Sequence, residues 1–291
     1  MSDQASPWRP LSRKDDPTYD TLLDFVPAWL RPSLWAWVEP QIRFYSEHGT
    51  IQRDEDKLHE IERRLHIEFS WERGGASALT DLENYMGYAK SNGALDVVDL
   101  LASGLSPTSH RARLAELERI LKEAGSAWSA VVRGDVCRLE RRVDPTVAAA
   151  SQKVMAESGR AGELLSKAWR AVYGREPNPS SGYRDAVRAV EAAARPVVSP
   201  TNSSATLGTM IHDLEVAPKK WDVRLSTPPG FDKIEALVNM IKLLWKAQFD
   251  RHGTPDENVP INVSNEEAET ALHLATTLVQ WFTRGAVARS T

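Results

Sequence analysis

A histidine and a glutamine interrupt the apolar stripe of a helix near the C-terminus. The segment DKIEALVNMIKLLWKAQFDRHG (232–253) keeps apolar residues at helical spacing from Ile234 onward. Eighteen residues make five helical turns, so His252 returns to the azimuth of Ile234, and Gln248 lies within about 40° of the same stripe. Gly253 is a natural helix end. Because an imidazole titrates near neutral pH and can transfer a proton, the pattern predicts acid–base chemistry here.

Charged residues that could serve such a site lie close to His252 in sequence. Lys246 precedes it by six positions, Arg251 is its neighbour, and Asp250 is a candidate to position Arg251. Each of these residues also has a plainer interpretation. The two cations could be solvated surface charges, and the histidine could be a helix-terminal residue bonded to a neighbour.

A carboxylate on an earlier helix could face the same region. Glu191 lies about 80° from Tyr183, at the margin of the apolar stripe of its helix rather than opposite it. The alternative is that Glu191 pairs with Arg188 or Arg195. We expect Arg195 to close this helix, because Pro196 follows it.

Other residues capable of chemistry form no recognisable site. His59 and His66 are seven positions apart, whereas a zinc-binding helix needs two histidines four apart. Cys137 is the only cysteine, which excludes internal disulfides and multi-cysteine zinc sites, and a buried thiol is its expected state. No glycine-rich phosphate-binding loop occurs. The sequence therefore predicts neither a metal nor a cofactor.

Composition indicates a globular protein without a strong preference for nucleic acid. The 291 residues suffice for two domains, and the hydrophobic fraction of 42% is ordinary. Residues 1–144 carry a net charge of −5 and residues 145–291 carry +1. Neither half has the basic excess typical of DNA-binding proteins. A transient nucleic-acid substrate, held at a small local patch, stays possible.

The N-terminus and the hydropathy profile predict a cytoplasmic protein. The first residues, MSDQASPWRPLSRKDDP, contain no apolar region of the kind found in secretory signals. No apolar run approaches the roughly 20 residues that cross a bilayer, so no membrane partner is expected.

The first domain is predicted to be helical with one β-hairpin. Residues 1–18 are polar and read as a flexible tail, and the domain covers residues 19–144. Apolar stripes predict helices, and the turn Gly134-Asp135 within a valine-rich segment predicts a hairpin near 128–143, the only strong strand signal. The proline-broken segment before these helices supplies expected core residues, namely Trp29, Leu30, Leu34, Trp35 and Trp37.

The second domain, 145–291, is predicted to be a helical bundle. A helix is expected from Pro145 to Tyr173, either bridging the domains or belonging to the second, followed by a turn-rich connector over 176–182. In the last helix Ser264 and Glu267 form a capping box. His273 falls off the apolar face of that helix, and we expect it to be exposed.

Residues of this second domain resemble the HEPN superfamily, and within it the C-terminal domain of abortive-infection proteins. The resemblance covers roughly residues 180–285. It rests on four segments, AVEAAARPVV with Glu191, TLGTMI, KAQFDRHG and AETALHLATTLVQWF.

The resemblance implies a helical bundle that dimerises and, in many members, cleaves RNA without a metal. The family's site is an Arg, four to six residues, and a His, contributed by both subunits. Here His252 would move a proton at the ribose 2′-hydroxyl or the leaving oxygen, and Lys246 and Arg251 would stabilise charge on phosphorus. Glu191 would orient His252. Lys246 stands where the family has Arg, and lysine offers a point charge instead of a planar fork.

Three hypotheses follow from the resemblance. The first is a phage-defence ribonuclease whose N-terminal domain senses a trigger or holds the effector inactive. The second is a catalytically degenerate bundle that dimerises or binds a partner. The third is a regulator that binds nucleotides in the same pocket without cleavage.

Overall fold

The chain forms two compact units that each have a separate hydrophobic core. The units are Met1–Arg142 and Val143–Thr291. The part of the chain described by the computed structural model is mostly helical with small two-stranded sheets, which confirms the mostly-α fold class. It comprises residues 10–16, 19–45, 51–71, 76–87, 92–246 and 263–290.

None of the helices in these described ranges is both long enough and apolar enough to cross a membrane.

Within its described residues the first unit contains five α-helices and two antiparallel strand pairs. The helices are α1 (Arg31–Val38), α2 (Glu55–Leu65), α3 (Ala76–Gly87), α4 (Gly93–Ser103) and α5 (Arg111–Glu123). The strand pairs are β1 (Arg43–Tyr45) with β2 (Ile51–Arg53), and β3 (Trp128–Arg133) with β4 (Val136–Arg141).

The core of the first unit confirms most of the expected apolar anchors. Leu30, Leu34 and Trp37 are buried, and Trp35 is half-buried against the same core. The expectation for Trp29 is wrong, since this side chain is 61% exposed. Trp29 lies in the turn before α1, where its neighbour Leu30 takes the inward position.

The β3–β4 hairpin forms where the valine-rich segment predicts it. Its register pairs Trp128 with Arg141 and Arg133 with Val136, and Gly134 takes a φ of +61° in the turn. A left-handed turn residue suits the right-handed twist of a two-residue hairpin. The sequence did not predict the β1–β2 pair or a third pair in the second unit, because strands of three residues are too short to show a period of two.

The second unit is a helical bundle with one short strand pair among its described residues. Its helices are α6 (Pro145–Glu157), α7 (Gly159–Tyr173), α8 (Pro179–Val198), α9 (Leu207–Val216), α10 (Lys233–Lys246) and α11 (Asn265–Thr283). The strands β5 (Trp221–Val223) and β6 (Val287–Arg289) pair antiparallel. Helices α7, α8 and α11 pack together at the centre, α6 lies on α7 and α11, and α9 contacts both α8 and α10.

The helix expected over 145–173 is two helices. The chain breaks between Ser158 and Gly159, where Gly159 has a φ of +51°, a conformation that glycine adopts without steric cost. The turn brings the start of α7 onto the end of α6. Gly162 lies so close to α6 that an added Cβ would collide with the carbonyl oxygen of Met155.

Helix α8 is longer at both ends than the sequence indicated. It begins at Pro179, capped by the Asn178 side chain, and so includes part of the expected connector. It also continues past Arg195 to Val198, with Pro196 in its last turn. Only one helical N–H is lost there, and the Ser199 N–H restores the turn by donating to the Arg195 carbonyl at 3.0 Å.

We expect Gly162→Ala to destabilise the second unit, because the obstructing Met155 oxygen belongs to the backbone and cannot swing aside. Overpacking of this kind costs about 1–3 kcal/mol, so the melting temperature should fall by about 2 to 10 °C. Differential scanning calorimetry measures the change.

The matched control is Gly87→Ala at the end of α3, where an added Cβ meets no atom within 4 Å. This control should leave the melting temperature within about 2 °C of the wild type. Equal melting temperatures for Gly162→Ala and the wild type would contradict the close approach of α6 and α7.

Candidate functional site

The Glu191 carboxylate is fixed at the N-terminus of α9. Its Oε1 accepts a hydrogen bond from the Leu207 N–H at 2.9 Å. The first N–H groups of a helix lack intrahelical partners and carry partial positive charge, so a carboxylate is favoured there. Thr206 and Thr209 complete the end as a capping box. Glu191 therefore anchors α9 to α8.

Neither arginine expected as an alternative partner of Glu191 holds that role. Arg188 pairs with Asp185 at 3.3 Å, one turn earlier on α8. Arg195 donates from Nε and Nη2 to the carbonyl oxygen of Ala205, at 3.3 and 3.0 Å. Arg195 and Glu191 thus bind the two sides of the same short segment before α9.

The start of α9 also touches the end of α10. A Cβ at Gly208 would lie 2.9 Å from Cζ2 of Trp245, so the indole packs directly over the glycine backbone. Because Leu207 holds Glu191 and Gly208 holds Trp245, one dipeptide connects α8 with the last turn of α10. Lys246 is the final residue of α10.

Tyr183 makes a second connection between α8 and the end of α10. Its buried hydroxyl donates to the Leu244 carbonyl oxygen of α10 at 2.8 Å. Burial, together with the negative charge of Glu267, raises the pKa of Tyr183 to about 12. The phenol is therefore held neutral as a hydrogen-bond donor.

The predicted site residues divide into two groups. The backbone positions of Glu191 and Lys246 are brought into one region through the contacts at Leu207 and Gly208. The other predicted residues lie outside the described residues, and these are Gln248, Asp250, Arg251, His252 and Gly253. Their roles stay predictions.

A polar cluster that the sequence did not predict ties α7 to α11. The buried Tyr173 hydroxyl donates to Glu269 Oε1 at 2.8 Å and lies 2.7 Å from His273 Nε2. Since the hydroxyl has one proton, His273 must donate to the phenol oxygen from Nε2. Burial and the bond to Glu269 raise the pKa of Tyr173 far above its usual value.

The expectation that His273 is exposed is wrong. The imidazole is half-buried and also meets the Tyr173 ring edge-on, with centroids 6.3 Å apart. The available sequence signal was the four-residue spacing of Glu269 and His273, which puts both on one side of α11. Their partner Tyr173 is 100 positions away from His273, so it could not be read from spacing.

The two histidines of α2 have separate structural roles. His59 stacks on Trp71 with centroids 4.0 Å apart and bonds through Nδ1 to Glu62 at 2.7 Å. His66 caps α2 in a left-handed conformation with a φ of +54°. In the part of the chain that the structure describes, no three side chains of His, Cys, Asp or Glu converge as metal ligands.

Comparison with known proteins yields no match: no family model fits the sequence, and neither a curated protein nor a solved structure matches the chain.

We expect Glu191→Ala to lower the free energy of unfolding by about 1 kcal/mol, as loss of a helix-capping acceptor does. Glu191→Gln should cost less, because an amide oxygen can still accept the Leu207 N–H. Urea unfolding followed by circular dichroism measures both values. The control is Glu176→Ala, an exposed loop carboxylate, and an unchanged stability in Glu191→Ala would argue against the anchoring contact.

The raised pKa of Tyr183 predicts a pH dependence of stability. The unfolded state releases the phenol proton near pH 10 and the folded state near pH 12, so the wild type loses stability as the pH rises through this window. Tyr183→Phe cannot titrate. The stability gap between wild type and variant should therefore stay constant below about pH 10 and shrink above it.

Urea unfolding of both proteins at steps from about pH 8 to 11 tests this expectation. The exposed Tyr19, replaced by Phe, serves as the control for removal of a tyrosine hydroxyl from the surface. If the plots of unfolding free energy against pH stay parallel for the wild type and Tyr183→Phe, the Tyr183 phenol has the same pKa in the folded and unfolded states, which would contradict the prediction.

Proposed function

We propose that the protein is a metal-independent ribonuclease of the HEPN type, acting in the cytoplasm as an abortive-infection effector in phage defence. The observation that carries this proposal is the meeting of α8 and the end of α10 at the Leu207-Gly208 dipeptide. The Lys-x5-His motif starts at Lys246, the last described residue of α10, beside the helix that carries Glu191.

The reaction needs no cofactor. A base takes the proton of the ribose 2′-hydroxyl, the 2′-oxygen bonds to phosphorus, and the bond from phosphorus to the 5′-oxygen breaks. His252 transfers a proton at the 2′-hydroxyl or to the departing 5′-oxygen. Lys246 and Arg251 stabilise the negative charge on the phosphorane. The products are a cyclic 2′,3′-phosphate and a free 5′-hydroxyl.

Glu191 fits a positioning role in this scheme. Its Oε1 is engaged by the Leu207 N–H, and its Oε2 accepts no hydrogen bond among the described residues. A carboxylate fixed by one oxygen can orient an imidazole with the other. Gln248, Asp250 and Gly253 would support the motif, with Asp250 positioning Arg251.

The active form in this proposal is a homodimer through the C-terminal bundle. The family motif is shared between subunits, so each site would receive groups from both copies. The first unit would sense the trigger or hold the effector inactive until infection.

A catalytically degenerate bundle is the second candidate, and one observation favours it. Glu191 has a structural task as the anchor of α9, which would keep a carboxylate here without any catalysis. The presence of Lys246 where the family has arginine also favours a degenerate bundle. The bundle would then serve dimerisation, partner binding or nucleotide sensing.

Induced expression of the wild type should arrest growth and fragment cellular RNA. His252→Ala should restore growth and lower RNA cleavage at least about 100-fold, the share that general acid–base catalysis contributes. Lys246→Arg should increase cleavage, because a guanidinium contacts phosphate through two parallel hydrogen bonds. Growth curves and electrophoresis of total RNA report both effects.

The matched control is His212→Ala, which removes an exposed histidine from α9 in the same unit and should behave as the wild type. A harmless wild type with intact RNA, even under phage challenge, would favour the degenerate bundle.

A further inference from the structure

Four exposed cations surround the short β5–β6 pair in the second unit. Lys219 and Lys220 immediately precede β5, Arg224 follows it, and Arg289 ends β6. The ladder continues past the strands, since the Ser290 N–H donates to the Lys220 carbonyl at 2.8 Å and the Arg224 N–H to the Ala286 carbonyl at 2.8 Å. All four cations therefore belong to one small, hydrogen-bonded platform, in which Arg289 shares the face of its register partner Trp221 while Arg224, next to Val223, falls on the opposite face.

No carboxylate among the described residues forms an ion pair with any of these four cations. The nearest acid in sequence, Asp222, is neutralised by Lys233 at 2.5 Å, a pairing that lowers the pKa of the Asp222 carboxyl. Glu215, at the end of α9, is paired with Lys242 at 2.5 Å. The platform thus carries a local positive charge that the net charge of the unit conceals.

The arginines of the β3–β4 hairpin provide an internal contrast. Four arginines lie within or directly after this hairpin, and each has its own carboxylate. The pairs are Arg133–Glu140, Arg138–Asp99, Arg141–Asp24 and Arg142–Glu118. These four arginines are therefore neutralised, whereas the platform cations have no carboxylate partner among the described residues.

Arg289 is held in place by an aromatic ring. It lies opposite Trp221 in the register, and its guanidinium carbon is 5.2 Å from the centroid of that buried indole. A guanidinium over the face of a ring leaves its N–H groups available to an external acceptor. Because the side chain is already ordered, less conformational entropy is lost when Arg289 forms two parallel hydrogen bonds to a phosphate.

The loop that follows β5 carries an exposed aromatic ring. Phe231 is 57% exposed, in the loop between β5 and α10. Lys233 ties this loop to β5, because its Nζ donates to the carbonyl oxygens of Val223 at 2.9 Å and Leu225 at 3.2 Å. Cations that follow a backbone together with a ring that can stack on a base are the features of surfaces for single-stranded nucleic acid.

We propose that this platform, formed by Lys219, Lys220, Arg224, Arg289 and Phe231, binds the phosphate backbone of single-stranded RNA. The choice of RNA over other polyanions rests on the proposed ribonuclease function. Lys220 and Arg224 are four residues apart along an extended chain, on the order of 13 Å, so they contact different phosphates of the strand. The platform supplies affinity and contributes no group to the reaction.

The test is a fluorescence-anisotropy titration of a labelled uridine oligonucleotide with the full chain carrying His252→Ala, which keeps the RNA intact. Adding Lys219→Glu and Lys220→Glu should weaken binding at least about 10-fold at 0.1 M salt. It should also reduce the slope of log affinity against log salt by about 1.4, since each lost phosphate contact accounts for about 0.7. Phe231→Ala should weaken RNA binding about 5-fold or more through lost stacking.

The matched control reverses two exposed lysines of α6 and α7 in the same unit, Lys153→Glu and Lys167→Glu. It changes the net charge equally and should alter affinity less than about 3-fold. Equal weakening by both charge reversals, no effect of the platform variant, or no RNA binding by the parent chain at low salt would overturn the proposal. Capture by phosphatidylserine vesicles that the platform variant abolishes, without RNA binding, would overturn it in favour of a membrane.

The outcome for the platform is separable from the outcome for catalysis. Platform-dependent RNA binding by a chain whose wild type never cleaves RNA would uphold the surface and reject the ribonuclease. Cleavage at limiting RNA that is unchanged by Lys219→Glu and Lys220→Glu would uphold the ribonuclease and reject the surface.

Discussion

The hydrogen bond from the Leu207 N–H to the Glu191 carboxylate decides where α9 begins, and α9 in turn contacts the end of α10. Glu191 belongs to α8, which packs on both α7 and α11 and is the most firmly held helix of the second unit. The Glu191 carboxylate, at the margin of the apolar stripe of this helix, is therefore fixed in position. Gly208 then admits the Trp245 indole, because a Cβ at this position would lie only 2.9 Å from Cζ2 of the ring.

Polar side chains set the ends of the helices in this unit, while apolar side chains set their faces. Tyr183 binds the last turn of α10, and Tyr173 joins the end of α7 to Glu269 and His273 of α11. Both phenols are buried, and burial raises the pKa of each, which keeps them as donors. A buried hydroxyl without its acceptor would cost on the order of 1–3 kcal/mol, so these bonds specify one arrangement of helix ends.

Features with a short sequence period or a fixed local spacing were predicted from the sequence. The hairpin over 128–141, the apolar stripes and the Ser264–Glu267 capping box all have local periods or fixed spacings, and the structure contains them. Sequence reasoning failed where the partner lies far along the chain. Glu191 binds a backbone N–H, which carries no residue-type signal, and His273 finds its partner 100 positions away.

Breaks in helices were the other source of error, because the sequence rules for them are statistical. Pro196 marks a probable helix boundary, but α8 passes through it since Val198 is buried and the Ser199 N–H closes the turn. Ser158-Gly159 looks like an unbroken helical segment, but it turns the chain. For the candidate site, the sequence predicted a facing carboxylate at Glu191 and a helix that extends to His252. The structure describes this helix as far as Lys246, and His252 lies outside the described residues.

Charge arrangement, more than net charge, distinguishes the two units. The total of −4 argues against nucleic acid when it is taken as one number. It is the sum of a first unit whose hairpin arginines are paired with carboxylates and a second unit whose β5–β6 cations have no carboxylate partner in the part of the chain that the structure describes. At physiological ionic strength the field of exposed charges decays within about 8 Å, so a phosphate at the platform responds to the nearby cations and little to distant acids. A slightly acidic protein can for that reason present a basic surface to RNA.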